Sequence, residues 1–455
     1  MEDIKGMLSV EEIGIAEECL DTALKNGASK ARVTLSKSQM ELFGILNGEL
    51  DKVNHCLDRS MSVCLFVDGK YGTFSTNRLV ESELDGFIKK SIATVRMLAE
   101  DSCRDLPDPS RTAKDALTGN ELDLLDPSYQ DLTSSQRLEL ALNASIFKNH
   151  EADGLISEEG EYSDSIIDSL TLDSNGLRCR HTETSFEYGV EMTVKDKDGN
   201  RYSGYWWDSA TRLKDLNINS CGETAFARAI ARISPEKVPS GKYTLVVDSE
   251  NSARLINPLT AALSAFSLQQ KNSFLLDSLG KKVFPEWLNL IDKPREKGKS
   301  GCKLFDSEGV ASKETPVIEN GVIKEYFVNT YMSRKMGIEP TIEDVIRPVL
   351  LPCVAPGLPV PERMDMDGIM NLVGEGILVT GFNGGNSNSA TGDFSFGVEG
   401  FLFKDGKIVH PVREMLITGN LLTLWGNLLA AGDDARACRL KVIPTLAFKD
   451  VDFSA

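Results

Sequence analysis

Hydrolytic chemistry needs a metal, an activated nucleophile or a positioned acid–base pair, so the residues able to supply one come first. The chain holds four histidines, His55, His150, His181 and His410. A helical zinc site needs imidazoles three to five residues apart, so that both reach one ion from one face. No two of these histidines stand that close. His150-Glu151 is the only His-Glu dipeptide, and no second histidine follows it on its segment. His55 and Cys56 are neighbours in a predicted strand, where adjacent side chains point to opposite faces. Cys179 and His181, two apart on a predicted strand, share a face. A structural zinc still needs two further ligands, and nothing nearby in sequence offers them. The nine cysteines are odd in number and never form a C-x-x-C pair, the usage of reduced thiols in a cytoplasm.

Nucleophile motifs are missing too. There is no G-x-S-x-G elbow and no G-x-x-x-x-G-K-[ST] phosphate loop. Ser300-Gly301-Cys302-Lys303 fits S-x-x-K, but the pattern is short and Gly301 opposes a helix there. Asp196-x-Asp198-Gly199 has the opening of a calcium loop without its later acidic ligands, and a hairpin turn explains it better. The residues therefore assign no catalytic and no metal-ligating position. One segment has the make-up of a binding loop, Gly381 to Ser395, between two apolar strands. Its short amides and glycines leave backbone N–H groups open to a ligand or peptide backbone. Asn383, Gly384, Gly385, Asn386, Thr391, Gly392, Asp393, Phe394 and Ser395 are the candidate peptide-binding residues. A solvated connection would have the same composition.

The elements that must carry these residues are legible from turns. Asn-Gly and Asp-Gly supply the positive φ of type I′ hairpins, and they occur at Asn47-Gly48, Asp68-Gly69, Asn175-Gly176, Asp198-Gly199, Asn320-Gly321 and Asp405-Gly406. The first four fall into two similar units. Capping patterns open helices at Ser9-x-x-Glu12, closed by Gly27, at Thr133-x-x-Gln136, running to about Phe147, and at Ser220-x-x-Glu223. A further helix is expected over Ser82 to Leu98. These signals predict an α+β chain. A duplicated helix–antiparallel meander–helix region (about 9–98 and 133–233, within 1–235) precedes a β-rich C-terminal domain, 236–455. The segment 101–131, rich in Asp, Pro, Ser and Thr, is expected to be a linker or surface loop. In the C-terminal half, Asn257 before Pro258 predicts a helix over Pro258 to Gln270. Strands are expected near Gly376 to Phe382 and Phe394 to Phe403, and a last helix over Asn420 to Ala431.

Composition narrows the partners. A formal net charge of −18 repels phosphate backbones, and the nearest basic stretch, Lys293 to Lys303, reads as a solvated loop. No nucleic-acid partner is expected. No apolar run approaches a membrane span, and Met1 to Val10 has no apolar signal core. A cytoplasmic protein is expected.

Several segments then resemble a known family. Phe305-Asp306-Ser307-Glu308-Gly309-Val310, Val317-Ile318-Glu319-Asn320-Gly321-Val322-Ile323-Lys324 and Asn329-Thr330-Tyr331 with Arg334-Lys335 resemble the central signature of the TldD/TldE family, also called PmbA or "modulator of DNA gyrase". Thr391-Gly392-Asp393-Phe394-Ser395, Gly400-Phe401, Pro411-Val412 and Gly419-Asn420-Leu421-Leu422 resemble its C-terminal signature. Val67 to Thr73 with Ser75-Thr76-Asn77 is similar near the N-terminus. The resemblance spans nearly the whole chain. It implies a heteromeric zinc metallopeptidase acting on unfolded or extended peptides. Family members of the TldD type carry His-Glu-x-x-x-His on a helix after the first strand of the C-terminal domain, with a cysteine near the C-terminus. The matching helix here has no such ligand, and Cys438 stands alone where the family cysteine is expected. The resemblance is thus to the TldE branch. It implies a non-catalytic subunit that binds no cofactor, with zinc in a TldD-type partner, a heterodimer with that partner, and a possible homodimer when alone. Two alternatives follow from the family: a self-sufficient peptidase with an atypical site built from residues such as His410 and Cys438, or a protein-binding modulator of DNA gyrase.

Overall fold

The computed structural model describes residues 6–150 and 153–455. Glu151, and Met1 to Lys5 of the N-terminal stretch read for a signal, lie outside the described residues. The Ser9 capping box forms. Its hydroxyl accepts from Glu12 N at 3.1 Å and the Glu12 carboxylate accepts from Ser9 N at 2.9 Å, opening α1 (Val10–Lys25). Three antiparallel strands follow, β1 (Lys30–Leu46), β2 (Glu49–Val67) and β3 (Lys70–Thr76), then α2 (Glu81–Val95). The same order returns as α3 (Ser134–Asn143), α4 (Phe147–His150), β4 (Leu155–Asp173), β5 (Arg178–Lys195), β6 (Arg201–Ala210) and α5 (Cys221–Ala231). The helix expected from Thr133 through Phe147 is broken at Ala144 to Ile146. There the Glu158 carboxylate takes the backbone N–H groups of Ile146 and Phe147, ending one helix and starting another. Ser220 stands at the start of α5 but makes no side-chain cap.

The six strands form one sheet in the order β3-β2-β1-β4-β5-β6, the two meanders joined edge to edge by β1 and β4. The α+β class with a repeated helix–meander–helix order is what the turns predicted. Asn47-Gly48 and Asp68-Gly69 have both residues at positive φ, as type I′ requires. At Asn175-Gly176 and Asp198-Gly199 only the glycine does. There the carboxylates of Asp173 and Asp196 collect the N–H groups that follow, making longer Asx-type loops. The helices share one face of the sheet. Ala31, Val33 and Leu35 of β1 meet α1 and α2, and Phe43 and Ile45 on the same face meet the α3–α5 cluster. The other face presents Thr34, Ser36 and Ser38 of β1 opposite Thr171, Ser169 and Ile167 of β4.

Segment 101–131 holds no strand and only one turn of 3₁₀ helix, Tyr129–Asp131, and part of it packs against the protein while the rest is exposed. Ala113, Ala116, Leu122 and Leu124 are buried with Cys179 and Cys302. Its carbonyls at Ala116, Gly119 and Leu124 accept from Arg180, Thr182 and Thr184 N, covering the part of β5 that β6 does not reach.

The C-terminal half is β-rich, as expected. It runs through β7 (Gly241–Val247), α6 (Ala253–Ala262), α7 (Ala265–Gln269), β8 (Leu290–Asp292), β9 (Thr315–Glu319), β10 (Val322–Ile323), α8 (Thr330–Met336), β11 (Pro348–Leu350) and β12 (Cys353–Val354). There follow α9 (Met366–Val373), β13 (Gly376–Ser387), β14 (Asp393–Lys404), β15 (Lys407–Asn420), α10 (Leu421–Gly426), β16 (Leu428–Ala431) and β17 (Leu446–Ser454). β7 pairs in parallel with β13 and antiparallel with β17, closing the ring β7-β13-β14-β15-β17. Trp425, Phe396, Phe448 and Phe453 fill it from the large core cluster. A four-stranded sheet, β10-β9-β8-β11, stands beside it.

Two helix expectations fail here. The helix starts at Ala253, not Pro258, because the Asp248 carboxylate accepts from Asn251 N and Nδ2 and organises a turn ahead of the proline. Pro258 sits inside α6, where it leaves the Arg254 carbonyl without its helical donor, and the helix breaks at Leu263 before α7 restarts under the Ser264 cap. The last helix stops at Gly426. Residues 428–431 are instead β16, pairing with β17.

Candidate functional site

The segment 381–395 is mostly ladder, not open loop. β13 continues to Ser387 and β14 begins at Asp393, so only 388–392 connects them. That turn is latched: Asn388 N donates to Asp393 O at 2.7 Å and Gly392 N to Asn388 O at 2.8 Å. The Asn388 side chain accepts from Ala390 and Thr391 N. Asn420 Nδ2 donates to Thr391 O at 2.8 Å and to Asp393 Oδ1 at 2.9 Å. The Asn420 amide and the Thr391 hydroxyl hold the Asp393 carboxyl below its ordinary pKa. The expected openness fails because short polar side chains satisfy the turn internally. Of the nine candidate residues, Asn383, Gly384, Gly385, Asn386, Thr391, Asp393 and Ser395 are exposed, while Gly392 and Phe394 are buried. Phe394 stacks on Phe396 at 5.2 Å. Gly385 has φ +87°, and a Cβ there would stand 2.2 Å from Ser395 O, so the bulge in β13 admits only glycine.

This hairpin lies against the outer side of α6. Arg254 donates to Gly385 O at 3.1 Å, with its guanidinium 5.2 Å from the Phe396 ring centre. Asn257 and Ala261 follow along the exposed side of the helix. Lys441 Nζ donates to Asn257 Oδ1 at 2.5 Å. Burial lowers the Lys441 pKa, against the opposing pull of the Asp344 carboxylate. Two cavities of 400 and 380 Å³ share Ser264 and Asp344 and form a groove beside α6 and α7. One end is small and polar, with Asn257, Thr260, Ala261 and Ser267. The other sets Phe266, Phe327 and Met332 beside Asn329, Glu343 and Asp344. Lys441, Asp344 and Phe266 were not among the residues picked out by sequence. They come from three distant segments, and no local motif marks them.

The segment carrying Lys441 is fixed by β6. Arg436 donates to Trp207 O at 2.7 Å and Asp208 Oδ1 at 2.8 Å, and it meets Glu250 at 3.0 Å. Trp207 Nε1 also donates to Glu250, at 3.1 Å. The guanidinium lies 4.7 and 4.8 Å from the rings of Trp206 and Trp207. A charge-assisted and cation–π clamp thus docks the C-terminal segment on the first sheet.

The imidazoles and thiols stand apart from this groove. His55 Nδ1 meets Glu41 at 2.7 Å. His150 lies between Glu223 and Asp153, which raise its pKa, and stacks on Phe226 at 4.3 Å. His181 meets Glu183 at 3.3 Å, and His410 meets the Pro411 carbonyl at 3.1 Å. Burial pushes the Cys179 thiol up to about 12, a poor state for a thiolate ligand. Burial also raises the Cys438 pKa. Among the described residues no three of His, Cys, Asp or Glu gather as a metal site. The zinc that the family implies does not fit the donors present: the outer side of α6 offers Arg254, Asn257 and Ala261, and Lys441 beside it brings a positive charge. No helix of the described residues is long and apolar enough to cross a membrane.

Comparison with known proteins gives a consistent result. Family models for the PmbA/TldA metallopeptidase match over residues 127–233 (central domain) and 240–455 (C-terminal domain). A Bacteroides thetaiotaomicron structure named for modulation of DNA gyrase is similar with a TM-score of 0.92 at 39% identity, over 99% of this chain and 100% of that one. TldE from Thermococcus kodakarensis shares the fold, with a TM-score of 0.81 at 17% identity over 97% of this chain and 100% of that one. Metalloprotease PmbA of Escherichia coli O157:H7 is 26% identical over 92% of each chain. Matched by both family models and over its whole length by the Bacteroides protein, this chain belongs to the PmbA/TldD metallopeptidase family, also known as TldD/TldE.

Proposed function

We propose that this chain is the non-catalytic, TldE-like subunit of a TldD/TldE-type zinc metallopeptidase complex acting on unfolded or extended peptides. Family membership makes it a peptidase-complex-associated or gyrase-modulating protein, and the finer reading rests on one observation. On the helix where the resemblance expects zinc ligands, the outer side carries Asn257 and Ala261 with the Lys441 ammonium bonded to Asn257. An ammonium beside that helix disfavours a second cation there.

In this reading the TldD-type partner brings the zinc, which activates water and polarises the scissile carbonyl. The present chain binds and orients. Its groove along α6 and α7 offers small polar walls to a peptide backbone, and at its other end Phe266 and Met332, with Glu343 and Asp344 beside them, to a side chain. The hairpin that carries the exposed Asn386 and Asp393 meets the same helix at Arg254. The working domain division is 1–235 and 236–455, with the Arg436 clamp between them.

A second reading has an observation of its own. The 39% identical Bacteroides protein is named for DNA gyrase modulation, which supports a protein-binding regulator. The relatives named as metalloproteases support a self-sufficient peptidase instead. For that alternative His410 and Cys438 would have to act together, yet His410 Nδ1 meets its neighbour's carbonyl, Pro411 O, and burial raises the Cys438 pKa. Affinity capture with the tagged chain separates these readings. Recovery of a TldD-type chain supports the subunit, and recovery of gyrase subunits in its place overturns it. In the captured complex, N386A with D393A should weaken peptide turnover without removing zinc from the partner.

A further inference from the structure

A cavity of 230 Å³ lies where the edge of β6 meets β14 and β15 of the C-terminal ring. Its charged lining is three arginines and one carboxylate: Arg201 of β6, Arg232 at the end of α5, Arg413 of β15 and Glu399 of β14. The carboxylate is already engaged. It meets the Arg232 guanidinium at 2.9 Å and accepts from Asn383 Nδ2 at 3.2 Å. Arg232 also donates to Ser203 O at 2.8 Å, so β6 and β14 hold it from two sides.

The other two guanidiniums have no comparable partner. Among the described residues Arg201 has no carboxylate within ion-pair distance, and in the β5–β6 ladder it stands directly opposite Lys195. Like charges so placed oppose strand pairing. Asp196, on the connecting turn, is spent there, accepting from Asp198 N, Asn200 N and Tyr202 OH. Arg413 reaches only its chain neighbour Glu414, at 3.8 Å, and Glu414 does not line the cavity. Glu236, whose N–H donates to Pro411 O, meets His410 at 3.9 Å.

Three guanidiniums less one carboxylate leave a surplus of two positive charges, in a chain whose net charge is −18. A carboxylate ligand would neutralise half of that surplus, and a phosphate dianion all of it. Guanidiniums present parallel N–H pairs that fit the oxygens of such a group. At about 30 Å³ per water, the cavity has room for one phosphate group and a small substituent. Arg201 and Arg413 are exposed, so solvent reaches it.

The geometry points to a phosphate-binding site at this seam, with Arg201 and Arg413 gripping the oxygens of a phosphate dianion and Arg232 completing the cradle. The bound group joins β6 to β15 and so ties the first sheet to the C-terminal ring. The site shares no residue with the α6 groove, and the inference does not depend on the proposed subunit role.

The test is calorimetric titration of the full chain with inorganic phosphate, at about pH 8, where phosphate is a dianion. With ionic strength fixed by sodium chloride, it should show one saturable site. Phosphate should also raise the melting temperature, as a ligand of the folded state does. Acetate at the same ionic strength should do neither. R201Q/R413Q should weaken phosphate binding about tenfold or more through two lost charge-assisted contacts. Without phosphate, its melting temperature should equal or exceed that of the wild type, because the repulsion between Arg201 and Lys195 is gone. R413Q alone changes a side chain that is 55% exposed and pairs only with its chain neighbour. It should fold and weaken binding about threefold. Glycerol phosphate separates the sources: tighter binding than inorganic phosphate marks a phosphate ester as the ligand, and equal or weaker binding marks the free ion. No saturable site at up to about 10 mM phosphate overturns the inference. So does unchanged affinity in either folded variant. Equal binding of acetate overturns it as well, since it shows a general attraction for anions.

Discussion

Asn420 is the residue on which the candidate site turns. Its amide nitrogen holds Thr391 O and Asp393, and its Oδ1 accepts from Leu422 N to cap α10. N420A should cost about 1 kcal/mol through the lost cap. It should also free the 388–392 turn, seen as faster amide exchange there than in the wild type. Unchanged exchange at Asn388 and Gly392 would show that the turn holds without it. The sequence marked this hairpin correctly as glycine- and amide-rich, but composition does not say whether such groups face a ligand or each other. Asn388, Thr391 and Asp393 face each other. Lys441 and Asp344 carry no local signature at all. Their proximity to Asn257 and Ser264 exists only once β7, α6 and the last strands are assembled, so no spacing rule could have found them.

Among the elements, the join between α1 and the sheet runs through Glu12. Its carboxylate closes the Ser9 cap and meets Lys37 Nζ at 3.1 Å and Arg59 at 3.1 Å. Burial alone would raise its pKa, but the Ser9 N–H, the Lys37 ammonium and the Arg59 guanidinium together bring it below the ordinary 4.5. A carboxyl depressed in the folded state adds stability above its unfolded pKa and loses it as the pH falls through the folded value. E12Q should therefore destabilise the chain by about 2 kcal/mol at pH 7. The gap to wild type should close as the pH drops below about 4.5. A gap independent of pH in urea titrations would remove this linkage. The capping box behind it was readable from Ser9-x-x-Glu12, whereas its partners on β1 and β2 were not, because strand pairing is non-local. The same division explains α6. Asn257-Pro258 looks locally like a helix start, and only the Asp248 turn ahead of it puts that proline inside the helix. Segment 101–131 is irregular, as its Pro, Asp and Ser residues suggest, while Ala116, Leu122 and Leu124 within it are buried.

For the whole molecule, the family resemblance spanned the chain because its signatures fall at places where the backbone is constrained, such as Asn320-Gly321, with both residues at positive φ, and the Gly392 turn. The closure of the C-terminal ring by β17 on β7, and the docking of Arg436 between Glu250 and Asp208, lay beyond sequence reading because both join distant segments. Two expectations belong to this scale. A chain with net charge −18 should show no duplex DNA binding at physiological salt, and a salt-sensitive shift at sub-micromolar protein would reveal a basic stripe. Elemental analysis of the purified chain should find no stoichiometric zinc, and about one tightly held ion per chain would favour the self-sufficient peptidase. The central claim is tested most directly by hydrolysis of an unstructured peptide by this chain, by a TldD-type chain, and by the two mixed. The account predicts no cleavage by this chain alone and chelator-sensitive cleavage by the mixture above that of the partner alone. Chelator-resistant cleavage by this chain alone, or full activity of the partner without it, would contradict it.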